Sequence, residues 1–292
     1  MKNLQAYLEL RDSLISFLQE DVGTGDITSE SILPSGLSAR AHIICKSDKS
    51  SIVAGLEEAR ILFDICNCRV HTLVRDGSRV ENGNIVMNVS GRALDIFKAE
   101  RTALNLIMRM SGIATETRKL VDTVGKVNRS IKVACTRKTA PGLRSFDKKA
   151  VVLGGGITHR LRLDGMVLIK ANHLVLGRSI EQAIGQARKK IDGSLLLECE
   201  VRNLAETICA INAGSDIVML DNFTLKQAKA AMAAIKKMGV RKRIKVEISG
   251  RIGPQNITDY AKLQPDIISL GYLTHSSTAI DFSLKTAKNR LS

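Results

Sequence analysis

Leu195-Leu196-Leu197-Glu198-Cys199-Glu200, then a helix-like run from Leu204 to Ala213, then Ile217-Val218-Met219-Leu220-Asp221-Asn222 decide the fold. The pattern reads as strand, helix, strand, and strands joined through a helix pair in parallel. The unit extends both ways. Ile131–Cys135 and Met166–Ile169 precede it, Ile244–Ile248 and Ile267–Leu270 follow it, and Ile180–Lys190 and Leu225–Met238 supply helical intervals. The expected class is α/β with a parallel sheet.

The residues at the strand ends carry the chemistry. Arg137-Lys138 follow the first segment, Lys170 the second, Glu198 and Glu200 the third, Asp221-Asn222 the fourth, Ser249-Gly250 the fifth and Gly271 the sixth. In a parallel α/β barrel these carboxyl-terminal ends converge on one mouth, where such folds bind ligands. A single charge after a strand is ordinarily just solvated. Six consecutive ends bearing charged or small loop residues predict a shared site.

Between Ile131 and Lys170 stand Lys132, Arg137, Lys138, Arg144, Lys148, Lys149, Arg160, Arg162 and Lys170, against only Asp147 and Asp164. Guanidinium groups hold carboxylates or phosphates through paired hydrogen bonds and lysines add movable charge, so the run predicts an anion pocket. Gly154-Gly155-Gly156 lacks the spacing of a dinucleotide fingerprint, because His159-Arg160 stand where a third glycine is needed. It reads instead as backbone passing close to a ligand, with His159 and Arg160 beside it. Glu200 and Asp221, on neighbouring strands, suit a Mg²⁺ ion bridged to phosphate oxygens, or direct neutralisation of Lys138 and Lys170. Ser249-Gly250 and Gly271 offer backbone N–H groups to a phosphate.

The first third of the chain differs. Ala41–Cys45 and Arg69–Val74 are β-branched-rich, Leu56–Phe63 reads helical, and Asp76-Gly77 and Asn82-Gly83 signal turns, which together suggest a small α+β domain. From Ala93 onward Leu94, Phe97, Leu104, Ile107 and Met108 recur at helical spacing until Ser111-Gly112 interrupts them. This predicts a long helix bridging two domains.

At 292 residues, with 44% hydrophobic and 25% charged residues, the chain has room for two globular domains and no bias toward disorder. Lys plus Arg number 44 against 29 Asp plus Glu, a net +15 that predicts negatively charged partners. Aromatics at 3% leave few platforms for stacking unpaired bases. No run approaches the length of a bilayer span, and Leu8, Leu10 and Leu14 interleaved with Glu9, Arg11 and Asp12 read as an amphipathic helix and not a signal peptide. The six cysteines have no zinc-type spacing, which predicts reduced, buried thiols and a cytoplasmic location.

Several ordered motifs carry a family resemblance. They are Glu20-Asp21-Val22-Gly23-Thr24-Gly25-Asp26-Ile27-Thr28, Glu100-Arg101-Thr102-Ala103-Leu104-Asn105 and Ser111-Gly112-Ile113-Ala114-Thr115. Thr136-Arg137-Lys138-Thr139, Pro141-Gly142-Leu143-Arg144, Gly154-Gly155-Gly156 with His159-Arg160, Leu168-Ile169-Lys170 and Asn172-His173 continue the series. Glu198–Glu200, Leu220-Asp221-Asn222, Ser249-Gly250, Ile268-Ser269 with Gly271, and Leu273-Thr274-His275-Ser276 complete it. The chain resembles the quinolinate phosphoribosyltransferases (carboxylating nicotinate-nucleotide pyrophosphorylases) over nearly its whole length.

That resemblance implies an N-terminal α/β sandwich domain over 1–110, an incomplete α/β barrel over 111–275, and a final helix after His275 by which 276–292 returns to the first domain. It implies transfer of the phosphoribosyl group of phosphoribosyl pyrophosphate to quinolinate with decarboxylation, in NAD biosynthesis, by a homodimer or higher homo-oligomer. Arg101 from the neighbouring subunit would join Arg137, His159, Arg160 and Lys170 around the dicarboxylate. Lys138, Glu200, Asp221, Ser249, Gly250 and Gly271 would serve phosphoribosyl pyrophosphate and Mg²⁺, with Lys138, Lys170, Glu200 and Asp221 as the catalytic set. Arg251, Ala171 and Thr158 depart from the family's usual residues. A paralogue associated with molybdate transport shares the resemblance's glycine-rich segment, and a non-catalytic nucleic-acid-binding protein is the alternative from charge alone; Lys170 within Leu168-Ile169-Lys170-Ala171-Asn172-His173 favours the enzyme.

Overall fold

A computed structural model describes residues 2–287, which divide into two compact units. The first runs to Thr115 and takes up the chain again from Ser277; the second is Glu116–Ser276. In the first lie α1 (Lys2–Val22), α2 (Ile27–Ile32), β1 (Ser38–Cys45), β2 (Ser51–Ile52), α3 (Leu56–Ile65), β3 (Arg69–Thr72), β4 (Arg79–Val80) and β5 (Ile85–Arg92). The long helix α4 (Ala93–Gly125) begins there and ends in the second unit.

The second unit then holds β6 (Lys132–Cys135), α5 (Arg144–Leu153), β7 (Val167–Ile169), α6 (Ala171–Leu174), α7 (Ile180–Lys190) and β8 (Leu197–Val201). It continues with α8 (Leu204–Asn212), β9 (Ile217–Asp221), α9 (Leu225–Lys237), β10 (Lys245–Ser249), α10 (Ile257–Ala261), β11 (Ile267–Leu270) and α11 (Tyr272–His275). The last described element, β12 (Phe282–Ala287), belongs to the first unit.

In the first unit β12, β1, β5 and β3 form an antiparallel sheet in that order. Strand periodicity explains its sidedness: Ala41, Ile43 and Cys45 of β1 are buried, while His42 between them is partly exposed. The segment after His275 corrects the expectation of a final helix. Its described part is the strand β12, paired from Phe282 opposite Cys45 to Ala287 opposite Arg40, because β1 offers an open edge and Phe282-Ser-Leu-Lys-Thr286 alternates at strand period. Residues 288–292 lie outside the described residues.

Helix α4 is also longer than the sequence suggests, passing through Ser111-Gly112 without a break. Both residues serve close packing. The Ser111 hydroxyl donates to the Ala54 carbonyl at 3.2 Å and accepts from the Ala54 N–H at 3.0 Å. A Cβ on Gly112 would collide with the Thr278 carbonyl, so glycine here admits another stretch of backbone instead of ending the helix.

The second unit's sheet is parallel throughout, in the order β6-β11-β10-β9-β8-β7. No pairing among the described residues joins its edge strands β6 and β7. A single bridge, Ala134 to Ile157, extends the β6 edge. Helices α7, α8 and α9 start on side-chain caps: Ser179 with Gln182, Asn203 toward the Glu206 N–H, and Thr224 with Gln227. Strand β8 starts at Leu197 and not at Leu195, whose N–H donates to the Asp192 carbonyl at 3.4 Å in the preceding turn. Glu198 and Glu200 therefore stand within the strand, two residues apart on one face.

Candidate active site

Two-residue steps along the parallel strands assemble the site. Leu168 and Lys170 follow β7 and its end, Glu198 and Glu200 lie on β8, Met219 and Asp221 on β9, Glu247 and Ser249 on β10, and Ser269 on β11. All but Glu198 line a cavity of about 270 Å³, together with Thr136, Arg137, Lys138, His159 and Arg160. A wider cavity of about 790 Å³ continues outward past Lys138, Asp221, Ser249, Gly250, Arg251 and Gly271. The strand-end residues singled out in the sequence, Glu198 excepted, thus stand along one cleft.

Of the nine cations between Ile131 and Lys170, the inner cavity collects Arg137, Lys138, Arg160 and Lys170. The Arg137 Nε–H is buried and has no hydrogen-bond partner. A buried, unspent guanidinium donor is costly unless an anion completes it, which makes the cavity a place for carboxylate or phosphate. Arg160 is held at its Nη1, which donates to the Met166 carbonyl at 3.3 Å. Burial and the neighbouring Arg137 both lower its pKa, while Glu198 opposes them. The other cations have other work: Arg162 pairs with Asp164 in solvent at 3.3 Å, and Arg144 donates to the Thr139 hydroxyl at 3.2 Å.

Lys148 corrects the anion-pocket reading most clearly. Its side chain on α5 is buried, and its ammonium donates to the backbone carbonyls of Thr158 and Arg160, the latter at 2.9 Å. Burial lowers its pKa. It faces the protein and not the cleft.

At the cavity floor the His159 Nε2 lies 3.1 Å from Glu198 Oε2 and 3.3 Å from Glu247 Oε2, with the imidazole side chain only 9% exposed and both carboxylates fully buried. Burial works against the imidazolium, but the two carboxylates overcome it and raise the His159 pKa to about 10. Burial and the nearby Glu247 in turn raise Glu198, against the pull of His159. Glu247 was missed in the sequence, where it hides within the apolar segment Ile244–Ile248. The available signal is a lone carboxylate two residues before Ser249, hence on the same strand face.

Gly155 and Gly156 serve close packing of the fold. A Cβ on Gly156 would stand 2.8 Å from Thr117 and Val151 side chains and 3.0 Å from the Val133 carbonyl, and Gly155 has φ +90°. These glycines let the chain run against β6, where the Ile157 N–H donates to Val133 and its carbonyl accepts from Cys135. That path delivers His159, in the left-handed region at φ 50°, over the cavity floor.

Lys170 and Glu200 approach within 3.8 Å, and the Asp221 carboxylate accepts from Asn222 Nδ2 at 2.6 Å. The Ser249 hydroxyl is engaged with Ser269, whose Oγ donates to it at 2.9 Å. Gly271 gives passage to Lys138, since a Cβ there would stand 2.9 Å from Lys138 Cδ. Arg101 is exposed on α4 in the first unit. Five of the six cysteines are buried and all are free. No helix among the described residues is long and apolar enough to cross a membrane.

Comparisons with known proteins agree with this arrangement. Residues 26–111 match the model of the quinolinate phosphoribosyl transferase N-terminal domain and 113–285 that of its C-terminal domain. The chain is 42% identical over 269 residues to the probable nicotinate-nucleotide pyrophosphorylase [carboxylating] of Methanocaldococcus jannaschii, covering 91% of this chain and 93% of that one. It is 39% identical to the protein of the same name from Archaeoglobus fulgidus, covering 89% and 98%. Among solved structures, the nicotinate-nucleotide pyrophosphorylase from Francisella tularensis superposes with a TM-score of 0.87 at 34% identity, covering 95% and 96% of the two chains.

Proposed function

This chain belongs to the quinolinate phosphoribosyltransferase family, and on that premise we infer that its cleft joins quinolinate to the ribose of phosphoribosyl pyrophosphate. The products are nicotinate mononucleotide, pyrophosphate and CO₂, in NAD biosynthesis. The observation that carries the assignment of substrates to places is the buried, unpartnered Arg137 Nε–H within a cation-lined inner cavity. Two carboxylates on one small ring match Arg137, Arg160, Lys170 and the imidazolium of His159. The paralogue associated with molybdate transport is not favoured by these matches.

In this reading the inner cavity takes quinolinate, and the outer one takes phosphoribosyl pyrophosphate along Lys138, Ser249, Gly250 and Gly271. The ring nitrogen attacks ribose C1 as the C1–O bond to pyrophosphate breaks and its electron pair leaves with the pyrophosphate. Holding both partners in one desolvated cleft supplies much of the acceleration. Lys138 offsets charge developing on the leaving group. Once alkylated, the ring nitrogen is cationic and accepts the electrons left when the adjacent carboxylate departs as CO₂, and a proton takes its place.

Glu200 and Asp221 form a hard oxygen donor set open to the outer cavity, which suits Mg²⁺. When bound there, the ion supplies positive charge to pyrophosphate oxygens. We place the enzyme in the cytoplasm as a homodimer or higher homo-oligomer, with Arg101 contributed across the subunit interface. Incubation of purified protein with quinolinate, phosphoribosyl pyrophosphate and Mg²⁺ tests the reading: a product with the mass of nicotinate mononucleotide supports it, and unchanged substrates refute it.

A further inference from the structure

We propose that Lys148, Glu198 and Glu247, three buried charged residues, are positioning residues that hold the His159–Arg160 turn in its anion-receiving arrangement. The inference rests on the placement of the pyridine dicarboxylate in the inner cavity and assigns the residues that prepare its cationic wall.

The turn is held from two sides. From α5, the Lys148 ammonium donates to the carbonyls of Thr158 and Arg160, which bracket His159. His159 between them has φ 50°, a conformation that residues with a Cβ leave unless their surroundings impose it. One buried cation bridging both flanking carbonyls is such an imposition. A buried lysine also requires partners of this kind, and on the carbonyls of this turn it has them. The Thr158 carbonyl additionally accepts from the Cys135 thiol at 3.5 Å, which ties the turn to β6.

From the opposite side, Glu198 on β8 and Glu247 on β10 converge on a single ring nitrogen, Nε2 of His159. The arrangement leaves Nδ1 as the ring's other polar atom, so a doubly protonated imidazole can donate from Nε2 to Glu198, stand beside Glu247 as its counter-charge, and keep Nδ1–H for a substrate anion. Three carboxylate oxygens of this pair, Glu198 Oε1 and both of Glu247, have no hydrogen-bond partner, so the imidazolium is the compensation that keeps them buried. The cavity that His159 lines also carries Arg137, Arg160, Lys170, Glu200 and Asp221 on its wall. Without His159 as a buffer, Glu247 would present bare negative charge to a dianion. His159 and Arg160 line the inner cavity and do not line the outer one, so loss of their support should register on one substrate only.

The test uses the full chain with Lys148→Met, Glu198→Gln and Glu247→Gln, each alone and each combined with His159→Ala. Quinolinate affinity is measured by calorimetry, KM for both substrates by steady-state kinetics, and bound metal by elemental analysis. The expected result is quinolinate binding weakened about tenfold or more by each single change, with KM for phosphoribosyl pyrophosphate altered less than about twofold. In the His159→Ala background the two Glu→Gln changes should have almost no further effect, because the residues act through His159. Folded single variants with wild-type quinolinate affinity, or effects that simply add to that of His159→Ala, would overturn the proposal. So would a stoichiometric metal ion that is lost on Glu198→Gln, since the triad would then be a metal site. If Lys148→Met does not fold, the Glu→Gln cycles still decide. A wild-type protein that neither binds nor turns over quinolinate would instead remove the functional reading itself, and the proposal with it.

Discussion

Gly250 lies so close to Asn222 that a Cβ built on it would stand 2.6 Å from the Asn222 backbone nitrogen, and its φ of +88° is one that other residues rarely adopt. Asn222 is itself left-handed at φ 56°, and its N–H donates to the Ser249 carbonyl at 2.9 Å. The ends of β9 and β10 are thereby drawn together, with no room for a side chain between them. Gly250→Ala should cost about 1–3 kcal/mol of stability, because the Asn222 backbone as well as its side chain must yield. It should also raise KM for phosphoribosyl pyrophosphate while leaving quinolinate affinity near wild type. Urea unfolding and calorimetric binding check the two halves separately.

The inner cavity's charge predicts substrate choice. Arg137, Arg160 and Lys170 line it, and one of the Arg137 donors is buried without a partner. Quinolinate with two carboxylates can complete these cations, whereas nicotinate with one leaves cationic donors unpaired. Each unpaired buried donor costs about 1–3 kcal/mol, so turnover with nicotinate should be lower by at least about tenfold in kcat/KM. Equal turnover of the two acids would remove the assignment.

His159 makes stability pH-dependent in a defined direction. Its pKa is about 10, above its ordinary value of 6.5, because Glu198 and Glu247 outweigh burial. A group whose pKa is raised on folding binds its proton more tightly in the folded state, so its contribution is complete below about pH 6.5 and falls as pH rises toward about 10. The stability gap between wild type and His159→Gln should therefore be widest near pH 6 and narrow steadily to pH 10, as read by thermal unfolding across that range. A gap that widens with pH would show that His159 is held neutral.

If Arg101 acts across a subunit interface, the Arg101→Ala and Lys138→Ala homodimers should each be nearly inactive. A mixed dimer would place both defects in one site and neither in the other. Random reassortment makes half of the dimers mixed, each with one intact site of two, so activity should recover to about a quarter of wild type. No recovery, with subunit exchange followed by mass-tagged chains, would place Arg101 in its own subunit's site or outside any site.

Much of this architecture was legible because burial imposes periodicity. The apolar segments from Ile131 to Leu270 marked the parallel strands, and Arg137, Lys138, Lys170, Glu200, Asp221, Ser249 and Gly271 stood at or near their ends. What escaped was set by contacts distant in sequence. Gly112 and Gly156 looked like a helix break and a ligand loop, but each admits another part of the fold, Thr278 for one and Val133 for the other. Lys148 counts as one more cation in a basic run until its carbonyl partners are seen, and Glu247 is silent until β8 and β10 bring it to His159. Charge at a strand end can be read locally; charge that supports another residue cannot.

The most direct measurement follows carbon. Quinolinate labelled in its 2-carboxylate, incubated with phosphoribosyl pyrophosphate, Mg²⁺ and the purified protein, should release labelled CO₂, pyrophosphate and unlabelled nicotinate mononucleotide in equal amounts, with no CO₂ when phosphoribosyl pyrophosphate is omitted. CO₂ released without phosphoribosyl pyrophosphate, nucleotide that retains the label, or no turnover at all would contradict the account.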